Sequence, residues 1–150
     1  MTGIEDVTNA VYDTLKADTD LSFIKKWFKG RVTAVSPIFP QCAIGDVGLS
    51  IEGRTTGRRG YDTDTYEITI LVVQKDQSGE GYAGDGDTVK GITAMADDFR
   101  EAIRVNRFGV FYDTARIDSV KIESVGSDSA GFVWQARFVI SGDVVTPRNA

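Results

Sequence analysis

Asp87-Thr88-Val89-Lys90-Gly91-Ile92-Thr93-Ala94-Met95-Ala96-Asp97-Asp98-Phe99-Arg100-Glu101-Ala102-Ile103-Arg104-Val105-Asn106 is the stretch that decides the fold. Val89, Ile92, Met95, Ala96, Phe99, Ala102 and Ile103 recur at three- and four-residue spacing, which draws one apolar stripe along a helix. Asp97, Asp98, Arg100, Glu101 and Arg104 fall away from the stripe. Asp87 is placed to cap the first turn, its carboxylate accepting free amide hydrogens. A helix this one-sided needs an apolar sheet to lie on, and the strand before it supplies one. In Asp64–Lys75, Tyr66, Ile68, Ile70 and Val72 alternate with Glu67, Thr69, Leu71 and Val73. The first set is expected to meet the helices. The second turns apolar at Leu71 and Val73, so part of that face is expected to be covered by another subunit.

Working toward the N-terminus, Gly53-Arg54-Thr55-Thr56-Gly57-Arg58-Arg59-Gly60 has the composition of a hairpin loop. Its three arginines, with no acid between them, are candidates for an acidic protein surface or a phosphate, against the plain alternative of a solvated loop. Gln41–Ile51 reads as the partner strand, with Ile44, Val47, Leu49 and Ile51 apolar and Gly45 and Gly48 marking an irregular or bulged course. Cys42 is expected half-buried at its start. Pro37 and Pro40 keep the preceding chain out of helix, after a short extended stretch at Arg31–Val35. A first helix is predicted over Ile4–Ala17, with Ile4, Val7, Val11 and Leu15 buried. A second, shorter one is predicted over Leu21–Lys29, capped by Asp20 or Ser22 and ended by Gly30. Inside it Phe23-Ile24-Lys25-Lys26-Trp27-Phe28-Lys29 mixes aromatics with lysines, a pattern that can grip nucleic acid or a membrane surface. Pairs four apart, Phe23/Trp27 and Ile24/Phe28, favour packing into the core with the lysines wet.

Working toward the C-terminus, Asp76-Gln77-Ser78-Gly79-Glu80-Gly81-Tyr82-Ala83-Gly84-Asp85-Gly86-Asp87 contains a literal G-x-G-x-x-G. A dinucleotide site needs the helix to start within the glycines, so that its amides face the pyrophosphate. Here more residues intervene, and Asp76, Glu80, Asp85 and Asp87 would repel phosphate. The same acids fall near the positions of a calcium loop, but a strand enters it and the last ligand is Asp. We read the segment as a long acidic loop able to contact a partner, with Glu80, Tyr82 and Asp85 as its contact residues. Asp97, Asp98 and Glu101 resemble a catalytic acid pair, yet Asp97–Arg100 and Glu101–Arg104 at three-residue spacing suit surface ion pairs. Arg107–Asp113 is an apolar connection. Ala115–Val125 and Phe132–Ser141 are strands around the turn Gly126–Gly131, and Gly142–Ala150 is a tail with no core to join.

The chain has 150 residues, enough for one domain that buries about 70% of its unfolded surface. No apolar run suits a membrane span, and the acidic start lacks signal-peptide order, so synthesis and residence in the cytoplasm are expected. A net charge of −5 argues against dedicated nucleic-acid binding. One cysteine allows no internal disulfide, and the absence of histidine removes the commonest general base and histidine metal sites. No enzymatic activity, metal or cofactor is expected. The elements add up to an α+β domain: a largely antiparallel sheet of four to five strands with two main helices on one face. Its other face, with Leu71, Val73, Val133 and Val139 beside Glu67, Gln135 and Arg137, would serve a subunit interface.

In this order and texture the chain resembles the tail-terminator (tail-completion) proteins of tailed bacteriophages. The likeness runs through Val11-Tyr12-Asp13-Thr14-Leu15-Lys16-Ala17-Asp18, the short helix after it, and the proline-containing lead into Cys42–Leu49. It continues with Tyr66-Glu67-Ile68-Thr69-Ile70, the helix Ile92–Val105 and the hairpin Ile117–Ile140, while the loop Asp76–Gly86 is longer than the family usually carries. The resemblance implies a virion protein of the tail or neck, made in the host cytoplasm. It implies a homo-oligomer, a hexameric ring, on the head-proximal end of the tail tube. Such a ring ends tube growth and offers the head-joining surface, with tube and head-completion proteins as partners. DNA would cross its lumen without specific binding. Another head–tail connector (head-closure or neck) protein is the nearest alternative, and a calcium-dependent binding module a more distant one. Arg54, Arg58, Arg59, Glu80, Tyr82, Asp85, Leu71, Val73 and Arg137 are the expected contact residues.

Overall fold

A computed structural model describes residues 3–30, 38–52, 61–76, 90–128 and 131–147. The elements are α1 (Ile4–Ala17), a short 3-10 turn (Thr19–Leu21), β1 (Lys26–Lys29), β2 (Gln41–Glu52), β3 (Tyr61–Asp76), α2 (Ile92–Arg104), β4 (Arg116–Asp128) and β5 (Gly131–Pro147). They form an α+β fold. The five strands lie in the order β1-β2-β3-β5-β4, with β1 parallel to β2 and every other pair antiparallel.

The alternation in β3 turns Tyr66, Ile68, Ile70 and Val72 to one side, where all four are buried. Its partner β5 presents Ala136, Phe138 and Ile140 in register with Val72, Ile70 and Ile68. Both helices cover this side. Val7, Val11 and Leu15 of α1 and Ile92, Met95, Ala96, Phe99, Ala102 and Ile103 of α2 join those strand residues in one buried cluster. The stripe of α2 is therefore the core contact the spacing predicts. The helix opens at Ile92 behind Gly91, so Asp87 is not its N-cap. In α1 the exception is Ile4, 50% exposed at the first turn, where Asp6 instead accepts the Gly3 amide at 2.9 Å.

The second helix predicted over Leu21–Lys29 does not form. Asp18 caps the 3-10 turn by accepting the Asp20 amide at 2.8 Å, and Lys26–Lys29 becomes an edge strand beside Gln41–Ile44. A short aromatic run satisfies both periods, and an available parallel neighbour decides for strand. Its aromatics still serve the core. Trp27 meets Tyr12 of α1 at 6.2 Å and Phe99 of α2 at 6.3 Å between ring centroids, and Phe99 meets Phe138 at 5.9 Å. Two of the lysines are occupied nearby. Lys29 donates to Asn9 at 2.7 Å and lies over the Tyr12 ring, and Lys26 lies over Phe28.

Three further expectations change. Cys42 is fully buried, not half-buried. The segment from Gly142 is no tail: β5 pairs with β3 as far as Pro147↔Tyr61, and Val144 is buried. The turn predicted over Gly126–Gly131 is tighter, since β4 and β5 stay paired to Asp128↔Gly131. The bulge predicted in β2 lies between Gly45 and Gly48, and β4 carries two more, at Ile117/Ser119 and Ser124/Gly126. Arg107–Asp113 packs as expected, with Phe108 and Phe111 buried.

Candidate functional site

Among the described residues no helix lies on the other face of the sheet. Strand alternation places Gln41, Ala43, Glu67, Thr69, Leu71, Val73, Gln135, Arg137, Val139 and Ser141 there, and the register arranges them in rows. Ala43, Leu71, Arg137 and Lys121 share one row, and Gln41, Val73, Gln135 and Glu123 the next. On the other side of the Thr69–Val139 row lie Gly48, Glu67, Ser141 and Arg116. The corner at Gln41, Ala43 and Val73 is already buried within the chain, at 0%, 1% and 6% exposure. Val73, expected as an open contact residue, is therefore closed. Leu71 is half-buried and Arg137 exposed.

The open part of this face is charged, and Arg137 and Glu67 lie on opposite sides of the Thr69–Val139 row. Arg137 stands directly opposite Lys121 on the neighbouring strand. Like charges facing one another across strands work against the sheet, and only Lys121 has a counter-charge, Glu123 at 3.3 Å. On the other side of the Thr69–Val139 row, Glu67 and Asp118 line a hollow of about 300 Å³ together with Gly48, Leu49, Thr65 and Ser141. The β4 bulge at Ile117/Ser119 and the β2 bulge at Gly45/Gly48 flank it. Both bend their strands where small residues already leave space. Beside the hollow, Asp143 accepts from Thr65 at 2.7 Å and pairs with Arg116 at 3.1 Å. The Arg116 hydrogen bond holds the Asp143 carboxyl below its ordinary range.

A second hollow, of about 430 Å³, lies between the 3-10 turn and α2 and is lined by Asp18, Asp20, Lys90, Asp98, Glu101, Ala102, Val105 and Asn106. Most of its carboxylates are already engaged. Asp18 holds the Asp20 amide, Asp98 pairs with Lys90 at 2.7 Å, and Glu101 pairs with Arg104 at 2.8 Å. The Arg104 hydrogen bond lowers the Glu101 pKa. Of the two predicted pairs, Glu101–Arg104 is present and Asp97–Arg100 does not form, while Asp98 takes Lys90 as its partner from outside the helix. Among the described residues no group of three or more His, Cys, Asp or Glu side chains converges as a metal site would require. No helix there is long and apolar enough to cross a membrane.

Arg54, Arg58, Arg59, Glu80, Tyr82 and Asp85 lie outside the described residues, as do the predicted stretch Arg31–Val35 and the glycine-rich segment after Asp76. Their attachment points are described. The arginine segment joins β2 and β3, which stay paired to Glu52↔Thr63. The acidic segment leaves β3 at Asp76, which pairs with Phe132 at the opposite end of the same strand. Asp118 and Lys121 escaped the sequence reading because a bulge and a register decide which way they face.

No protein-family model matches the chain, and no curated protein matches it.

Proposed function

We propose that this protein is a structural subunit resembling phage tail terminators. Identical copies close into a ring, a hexamer, on the head-proximal end of the tail tube. The ring stops tube growth and offers the surface that the head-completion protein meets, and DNA crosses its lumen unbound. The protein then belongs to the tail or neck of the virion and performs no chemistry. The observation that supports this reading best is the one-sided sheet, whose other face carries exposed charges and, among the described residues, no helix. Surfaces of that kind suit docking. The arginine and acidic segments leave β3 at opposite ends, and a ring needs two different patches that meet head to tail.

Electron microscopy of the purified protein, alone and with tail-tube protein, tests the proposal. Six-fold rings, or caps at one end of tubes, are expected. Particles that neither ring nor touch tubes would overturn it, and rings that ignore tubes would move the protein toward the head side of the joint. Reversal of Arg54, Arg58 and Arg59 to Glu is expected to block joining while the monomer stays folded.

A further inference from the structure

Glu67 and Arg137 sit on the same helix-free face, one strand and four residues apart, since Leu71 pairs with Arg137 and Glu67 with Ser141. Strand geometry puts that separation at about 14 Å, too far for the two to neutralise each other within one chain. Neither forms an ion pair with any described residue. A polyanion would suit Arg137 and Lys121 but be repelled by Glu67 and Asp118 beside them. A purely basic partner meets the reverse problem. The surface that satisfies both halves carries the same two halves in reverse order.

The geometry points to a second copy of this chain, docked face to face about a two-fold axis that runs across the strands at the Thr69–Val139 row. Rotation about that axis exchanges the row of Leu71, Arg137 and Lys121 with the row of Gly48, Glu67, Ser141 and Arg116. Each Arg137 then stands over the other copy's Ser141, with Glu67 on the neighbouring β3; on β4 the residue in register is Arg116, already paired with Asp143, and Asp118 lies at the bulge beside it. The hollow of about 300 Å³ receives the guanidinium, and its walls supply two carboxylates. Lys121 falls over the row of Arg116, whose charge Asp143 engages, next to the Asp118 bulge of the other copy. Each Arg137 gains the other copy's Glu67 as its counter-charge, twice over by the symmetry. The contact is isologous, each patch meeting itself, and so differs from the head-to-tail contacts that close a ring. It joins two subunits, or two rings, through their sheets.

Self-association of the purified full chain, followed by sedimentation velocity over a range of concentration, tests the contact. Arg137→Glu and Glu67→Arg are each expected to weaken pairing at least about tenfold, and the double charge swap to restore it to within about threefold of wild type. Circular dichroism checks that all three variants are folded. Single variants that associate like wild type would overturn the contact, as would a double variant that stays dissociated. A wild type that remains monomeric at every concentration would overturn it as well. Caps on tail tubes formed by Arg137→Glu would leave the ring proposal standing, whatever happens to pairing.

Discussion

Gly142 faces the core opposite Tyr66, and a Cβ placed there would overlap the Phe111 ring. Gly142→Ala is expected to cost about 1–3 kcal/mol in urea unfolding, because packed neighbours can only shift by straining themselves. In a Phe111→Ala background the same change should be close to neutral, and that loss of additivity separates ring overlap from a general dislike of alanine in the strand. Gly45 is bound more tightly, since a Cβ there would lie 2.8 Å from the Gly30 Cα, which is backbone. Cys42 shows a different residue-scale effect. Its burial raises the thiol pKa well above the ordinary value, so the folded chain holds the proton where the unfolded chain releases it. This contribution to stability is full below the unfolded thiol pKa and fades as pH rises beyond it. Iodoacetamide at about pH 8.5 should leave the native thiol untouched and label it once urea unfolds the chain. Labelling of native protein at the rate of a free thiol would contradict the burial.

Arg116, Asp143 and Thr65 show how elements are tied. They come from β4, β5 and β3, and their hydrogen bonds link three strands at one end of the sheet. The Asp143 pKa is lowered, so its contribution is present above the ordinary aspartate value and is lost as pH falls through the folded one. Asp143→Asn should cost about 0.5–1 kcal/mol near neutrality, given how exposed the pair is, and nothing at a pH below the carboxylate range. Urea titrations at the two pH values check this. The last part of β5 matters more. A chain ended after Ser141 loses the buried Val144 and every pairing from Gly142↔Tyr66 to Pro147↔Tyr61. It should melt well below the full chain or fail to fold, whereas a dispensable tail would leave the melting temperature unchanged. That end of β5 was illegible because Gly142-Asp143 breaks the alternation, and only the partner strand reveals that pairing continues. The stripe of α2 and the alternation of β3 were legible, because each repeats over enough residues to exclude the other period. Lys26–Lys29 is too short to do so.

At the scale of the whole molecule, the five-stranded sheet with helices on one face follows from those two long patterns, and the candidate surface does not. Glu67 and Arg137 could be placed on the outer face from sequence. Their relation to Lys121 and Asp118 depends on strand register and on a bulge, which one sequence does not encode locally. The same limit applies to Val73, whose apolar character suggested an open patch where the folded chain has already closed it. The pairing order has a further consequence in time. β3 lies at the centre of the sheet, yet its partner on one side, β5, is made only after β4, and Tyr61 waits for Pro147. The face that copies of this chain would share therefore cannot exist on a nascent polypeptide. Synthesis itself delays assembly until β5 of each subunit has been made, and chains that lack it are kept out of whatever the others build.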